Sequence, residues 1–177
     1  PGWALMIETV QYALMTELPV VIALVQRLGP STGGATQGAQ GDVLLAEYCT
    51  SGGYPIPVFA PSTPAECRRL TMAAFHWAET LRTPVVVLSD KEVGMTSEDV
   101  DYAALADFPV AGRRPYGADA PADQPTYAFG KPEDVPPFSP VGGPWKVTMT
   151  GSAHDRQGAL RKNSPESLEV LHHLHDK

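Results

Sequence analysis

Residues 56–88 read IPVFAPSTPAECRRLTMAAFHWAETLRTPVVVL, and the fold follows from how this stretch divides. Thr63-Pro64-Ala65-Glu66 has the order of a capping box with proline at the first helical position, so a helix starts there. Leu70, Ala74, Trp77, Ala78 and Leu81 then recur at helical spacing to about Arg82. Pro84 introduces Val85-Val86-Val87-Leu88, a β-branched run of the kind buried on both faces of a parallel sheet. Before the helix, residues 56–59 read as a strand, and Pro55 and Pro57 place it at a sheet margin. Strand, helix and strand with short connections make a βαβ unit.

The pattern continues upstream. Val20-Val21-Ile22-Ala23-Leu24-Val25 is a second continuous apolar run and reads as a buried strand. Residues 1–16 are apolar on nearly every side and long enough for a buried helix. A loop covers 29–34 and a helix 42–48. The fold class is therefore α/β, a doubly wound, mostly parallel sheet. Downstream the character changes: Pro109, Pro115, Pro121, Pro125, Pro132, Pro136, Pro137, Pro140 and Pro144 interrupt any periodicity. That composition predicts an extended arm or linker over 101–144 with no core of its own. A strand is expected over 145–150, and Ser164-Pro165-Glu166 caps a last helix to about His175. The expected division is an α/β domain over 1–100, the arm over 101–144 and a strand–helix segment over 145–177.

Twenty acidic residues against thirteen Lys and Arg give a net charge of −7, which argues against a nucleic-acid groove or an anionic membrane as the main partner. Hydrophobic residues make up 43%, an ordinary globular share. The longest apolar run, near residues 19–25, is too short to span a bilayer, and a cytoplasmic location is expected. Cys49 and Cys67 form no CxxC pair, so this chain alone is not expected to hold zinc or an iron–sulfur cluster.

In an open parallel sheet, ligands bind where the strands end and the connecting loops gather. The strand ending at Val25 delivers Gln26-Arg27-Leu28-Gly29-Pro30-Ser31-Thr32-Gly33-Gly34-Ala35-Thr36 to that edge. Arg27 is the one cation near this loop, and its planar fork suits a carboxylate or phosphate. Ser31, Thr32 and Thr36 add hydroxyls, and the glycines let backbone amides approach an anion. Two readings stay open: an anion-binding loop, or a tight turn whose Arg27 pairs with a nearby carboxylate. The loop fits neither GxxxxGK[ST] nor GxGxxG, which speaks against a nucleotide-binding loop.

Val25-Gln26-Arg27-Leu28-Gly29-Pro30-Ser31-Thr32-Gly33, followed by Gln40-Gly41-Asp42, resembles the signature loop of 2-oxoacid:ferredoxin oxidoreductase alpha subunits, VQRGGPSTG and then QGD or QSD. Pro1-Gly2, Leu5-Met6 and Met15-Thr16-Glu17-Leu18-Pro19-Val20-Val21 resemble the family's PG…LM…MTE-PVV. Ala60-Pro61-Ser62, Arg82 to Asp90, and Thr150-Gly151 with His154-Asp155 and Gly158 agree as well. The likeness covers nearly the whole chain. It implies the pyrimidine-binding domain of thiamine-diphosphate enzymes, with the cofactor shared with a partner subunit. It also implies oxidative decarboxylation of a 2-oxoacid such as pyruvate or 2-oxoglutarate, transfer of the acyl group to coenzyme A, and electrons passed to ferredoxin. The beta subunit is the implied partner, with Mg2+ and a 4Fe–4S cluster expected there. Carried over, Arg27 would hold the substrate carboxylate and Thr36 would lie beside it, with Ser31 and Thr32 as neighbours. Gly29, Pro30 and Gly33 would face the cofactor. No catalytic residue is expected among 1–177, because the family's YPITP segment and its ring-activating glutamate would precede Pro1. The expectation is that the chain does not turn over alone.

The departures from the pattern matter: besides the segment expected before Pro1 and the transketolase-like C-terminal domain expected beyond this stretch, Gly34-Ala35-Thr36 replaces the family's Leu-Pro-Thr, which loosens the backbone before Thr36. His172 and His175 are one turn apart but read as part of an exposed terminal helix. His154-Asp155 reads as a structural loop contact, and Asp42 as a complement to a helix dipole. Glu8 and Glu17 have no evident partner in the sequence. The competing readings are a non-catalytic interaction or assembly domain that kept the fold, and a thiamine enzyme of another reaction class.

Overall fold

The computed structural model describes residues 2–30, 32–103, 105 and 107–177. Helix α1 (Gly2–Met15) leads into strand β1 (Val20–Gln26), helix α2 (Val43–Glu47), strand β2 (Val58–Phe59), helix α3 (Pro64–Leu81), strand β3 (Pro84–Asp90), helix α4 (Lys91–Met95) and helix α5 (Pro165–Asp176). The three strands form one parallel sheet in the order β1-β3-β2. β3 is central, and its residues 84–88 are buried on both faces, as the unbroken Val-Val-Val-Leu run predicts.

Alternation along the strands separates two layers. On one face Ile22, Val86 and Leu88 pack with Trp3 and Val10 of α1 and Ala46 of α2. On the other, Val85 and Val87 meet Ala74 and Ala78 of α3, with Val21 and Phe59 at the margin. Helices thus cover both faces, the doubly wound arrangement. In register, Val20 lies beside Pro84 and Gln26 beside Asp90, so β1 and β3 end level at the carboxyl edge. The outer edge of β1 carries no strand among the described residues, and Val20 and Val25 on it are exposed.

Local chemistry sets the boundaries. The Thr63 hydroxyl accepts from the Glu66 amide at 3.1 Å, the expected cap of α3. The Glu66 carboxylate, however, reaches back to Ser62, to its amide at 2.9 Å and its hydroxyl at 2.6 Å, rather than to Thr63. The α5 box is built by two serines, with Ser164 and Ser167 each bonding the other's amide at 3.3 Å. α1 and α3 both end on a left-handed residue that is not glycine, Glu17 (φ 51°) and Arg82 (φ 49°).

Several expectations are corrected. Only residues 58–59 of 56–59 pair, because Pro55 and Pro57 have no amide to donate; the Pro57 carbonyl still accepts from Val86 at 2.9 Å. Residues 145–150 are not a strand: no neighbouring strand pairs with them, and they are held singly, the Thr148 amide by the Thr126 hydroxyl at 3.2 Å. α1 is not buried all round, since Leu5 is 84% exposed while Trp3, Val10, Ala13 and Leu14 are buried. The short helix α4, capped by Asp90, has too few periodic residues to be read in advance.

Among the described residues, 101–144 contain neither helix nor strand, yet this segment lies back on the chain that carries it. Tyr127 is fully buried, Tyr116 and Phe129 nearly so, and Phe129 joins Val170 and Leu174 of α5 with Met15 in a third core cluster. The Arg82 guanidinium donates to the carbonyls of Pro136 at 3.1 Å and Pro137 at 2.8 Å. Prolines cannot pair with one another, so their carbonyls find a buried cation instead.

Candidate functional site

The carboxyl ends of the strands open into two clefts. The larger, about 620 Å3, lies where β1, β2 and β3 end, with Ile56, Val58 and Leu88 as apolar wall and Gln26, Gln40 and Asp90 as polar rim. Glu47, Glu92 and Ser62 also line it, and no Lys or Arg does. Asp90 is tied in twice: it accepts from the Val93 amide at 2.9 Å as the α4 cap, and from the Gln40 amide group at 3.3 Å. Those two bonds hold its carboxyl below the ordinary range, the Val93 amide contributing most.

The smaller cleft, about 220 Å3, is lined by Arg27, Leu28, Gly29 and Pro30 on one side and by Trp3 and Leu45 on the other. Trp3 is fixed there by its indole N–H, which points at the Leu45 carbonyl at 3.4 Å. Arg27 is half-buried, and the loop it opens closes on itself beyond it. The Leu28 amide donates to Gln37 at 3.2 Å, the Gly34 amide to Leu28 at 3.3 Å, and the Gly29–Pro30 peptide is cis. Gly33 has φ +39°, and a Cβ there would collide with the Leu28 carbonyl, so the turn needs glycine.

The structure brings Arg27, Gly29 and Pro30 together in one cleft. Thr32 and Thr36 are exposed and line neither cleft, and Ser31 lies outside the described residues. Asp42 precedes α2, but its carboxylate makes no capping bond. Three lining residues escape a reading from the sequence alone: Gln26, Gln40 and Asp90. The available signal was Gln26 itself, a polar residue closing an otherwise apolar strand.

At the opposite edge of the sheet lies a polar group of a different kind. The Glu17 carboxylate is fully buried and meets the His173 ring at 3.1 Å and the Lys177 ammonium at 2.8 Å. Burial pushes its pKa up, but Lys177, His173 and Arg82 together outweigh burial and bring it down to about 2. His154 is likewise fully buried, bonded to the carbonyls of Asp155 at 2.8 Å and Met15 at 3.1 Å and stacked on Tyr127. These side chains fasten distant segments to one another.

The residues at the carboxyl edge fit a neutral heteroaromatic ring better than a phosphate. An amide-rimmed, apolar-walled cleft without cations suits a flat ring with hydrogen-bonding edges, whereas a diphosphate would face Glu47, Asp90 and Glu92.

Comparison with known proteins gives the chain its family. The 2-oxoglutarate synthase subunit KorA of Methanothermobacter thermautotrophicus is 38% identical over 172 residues, which is 97% of this chain and 44% of that protein. The KorA subunit of Archaeoglobus fulgidus is 47% identical over 108 residues, 61% of this chain and 31% of the relative. The chain thus spans less than half the length of these curated relatives. A solved structure, the 2-oxoglutarate:ferredoxin oxidoreductase of Magnetococcus marinus with 2-oxoglutarate, coenzyme A and succinyl-CoA bound, superposes with a TM-score of 0.83 at 30% identity, covering 99% of this chain and 30% of that one. Residues 1–171 match the family model described as pyruvate flavodoxin/ferredoxin oxidoreductase, thiamine diphosphate-binding, and the chain belongs to that family.

Proposed function

We propose that the chain is the Arg27-bearing part of an alpha subunit in a 2-oxoacid:ferredoxin oxidoreductase, which oxidatively decarboxylates a 2-oxoacid to its acyl-CoA. The observation that carries this reading is the position of Arg27, a guanidinium in a cleft at the carboxyl end of β1, beside a second cleft without cations. The first suits the carboxylate common to all 2-oxoacids. The second would take the aminopyrimidine end of thiamine diphosphate, with Gln26, Gln40 and Asp90 at its rim. When bound, that cofactor supplies the carbanion chemistry of decarboxylation. This chain's own part is to orient the ring, hold the substrate carboxylate and exclude water. Thr36, Ser31 and Thr32 remain candidates for the substrate side, and Gly29, Pro30 and Gly33 for backbone approach to the cofactor.

In this reading the diphosphate, Mg2+ and a 4Fe–4S cluster belong to a beta subunit, and ferredoxin and coenzyme A act on the assembled cytoplasmic complex. Among the described residues no helix is long and apolar enough to cross a membrane. Residues 1–100 then form part of the pyrimidine-binding domain, 101–144 a proline-rich segment folded back on it and 145–177 a segment leading towards a further domain. The named relatives favour 2-oxoglutarate over pyruvate as substrate.

The test is to assay the intact alpha subunit with its beta subunit for coenzyme-A-dependent reduction of ferredoxin, with 2-oxoglutarate and pyruvate side by side. Reduction that requires thiamine diphosphate is expected; none from a cofactor- and iron-loaded complex would leave an assembly domain. In the active complex, Arg27→Ala should lower kcat/KM by about 100-fold or more for every 2-oxoacid, the scale of a lost charge-assisted contact to substrate. Near-normal kinetics would remove Arg27 from the site.

A further inference from the structure

The neck of the Arg27 loop is closed from both sides. Gln26 is 3% exposed, and burying an amide in an apolar strand end is costly unless it is hydrogen-bonded. Its Oε1 accepts from the backbone amide of Asp42 at 3.2 Å, linking the end of β1 to the residue before α2 across the whole intervening loop. Next to Asp42, Gly41 packs so closely that a Cβ there would come within 2.6 Å of the Arg27 carbonyl and 3.1 Å of the Gly29 amide nitrogen. The two strands of the neck therefore touch at Arg27, with one hydrogen bond beside the contact. Gln40, one residue further out, is tied to Asp90 at the end of β3. Beyond the neck the Leu28, Gly34 and Gln37 backbones bond one another, so the neck is where the Arg27 backbone is set against the rest of the fold.

We propose that Gln26 is a positioning residue that fixes the aim of Arg27, acting through the Asp42 amide and the Gly41 contact. The inference rests on the reading of Arg27 as the carboxylate-holding residue. It explains why a glutamine, and not another aliphatic residue, closes the apolar strand VVIALVQ: the side chain must reach an amide on the opposite side of the neck. It also explains the glycine at 41, since only a residue without a Cβ lets that side approach the Arg27 backbone.

The experiment is a double-mutant cycle in the assembled enzyme, read as KM and kcat for the 2-oxoacid. Gln26→Met keeps the length and apolar stem and removes the acceptor. It is expected to lower kcat/KM by about ten-fold, chiefly through KM, as a misdirected binding group does. In an Arg27→Ala background, with thiamine diphosphate saturating throughout, the same substitution should cost nothing further; Arg27→Met replaces that background if alanine leaves too little activity to measure. Gly41→Ala, which forces the neck apart from the other side, should show the same loss and the same non-additivity. A Gln26→Met loss equal in both backgrounds, or an unchanged KM, would overturn the positioning role while leaving Arg27 in place. A normal Arg27→Ala single variant would instead overturn the carboxylate reading, and the inference with it.

Discussion

Glu17 shows what a single residue can hold in place. A non-glycine residue at φ 51° is strained, and here the strain is offset because the same backbone turn aims the carboxylate at His173 and Lys177. The folded-state pKa near 2 lies below the ordinary 4.5, so this carboxylate favours folding in full above the unfolded value. The contribution is lost as pH falls from there toward 2. Glu17→Gln should destabilise the protein by about 3 kcal/mol at neutral pH, since it strands Lys177 as a buried unpaired charge. It should also flatten the fall in melting temperature below about pH 5. Equal acid sensitivity in the variant and the parent would show that other carboxylates govern acid unfolding. None of this was legible beforehand, because the partners lie 156 and 160 residues away along the chain. Arg27 was legible for the opposite reason: its loop is local, and its chemistry is written in consecutive residues. Gln26 falls between the two, visible as an anomaly in an apolar strand but unexplained until its bond to Asp42 is seen.

Among the elements, α3 and β3 were the most readable. A threonine cap, a proline at the first turn and small residues at helical spacing specify the helix, and β-branched residues specify the strand. The small residues have a consequence for packing. Ala74 and Ala78 are buried against Val85 and Val87, so the helix lies close to the sheet with no room for more side chain. Ala78→Leu should therefore cost about 1–3 kcal/mol by overpacking, seen as a lower denaturant midpoint at unchanged slope. A neutral result would mean that α3 can shift outward freely. Pro55 and Pro57 mark a sheet margin in the sequence, and in the structure they also shorten the pairing of β2 to Val58 and Phe59. The absence of a strand at 145–150 also turns on pairing. A β-like run becomes a strand only when a neighbour pairs with it, and neighbours are not visible in local sequence.

Across the whole molecule, the proline-rich segment changes most between sequence and structure. Its prolines remove helix and sheet as expected, but its aromatic residues return it to the body of the protein. Tyr127 stacks on His154 at 4.6 Å, and Phe129 on His173 at 4.0 Å. Arg113 pairs with Glu79 on α3 at 3.0 Å. Deleting 116–140 should thus unfold the chain itself, not merely weaken its hold on a partner. Circular dichroism of the deleted chain should show a collapsed cooperative transition; an intact transition with impaired assembly would restore the arm to a purely external role. The sheet bears on solution behaviour too. The outer side of VVIALVQ presents the backbone donors and acceptors of every second residue, with exposed valines and no charge among them. Edges of that kind are what lysines, prolines and bulges usually guard, and among the described residues no strand covers this one. An edge left open in this way is a docking line: whichever segment or chain lies along it would extend the sheet by one strand and bury the exposed valines.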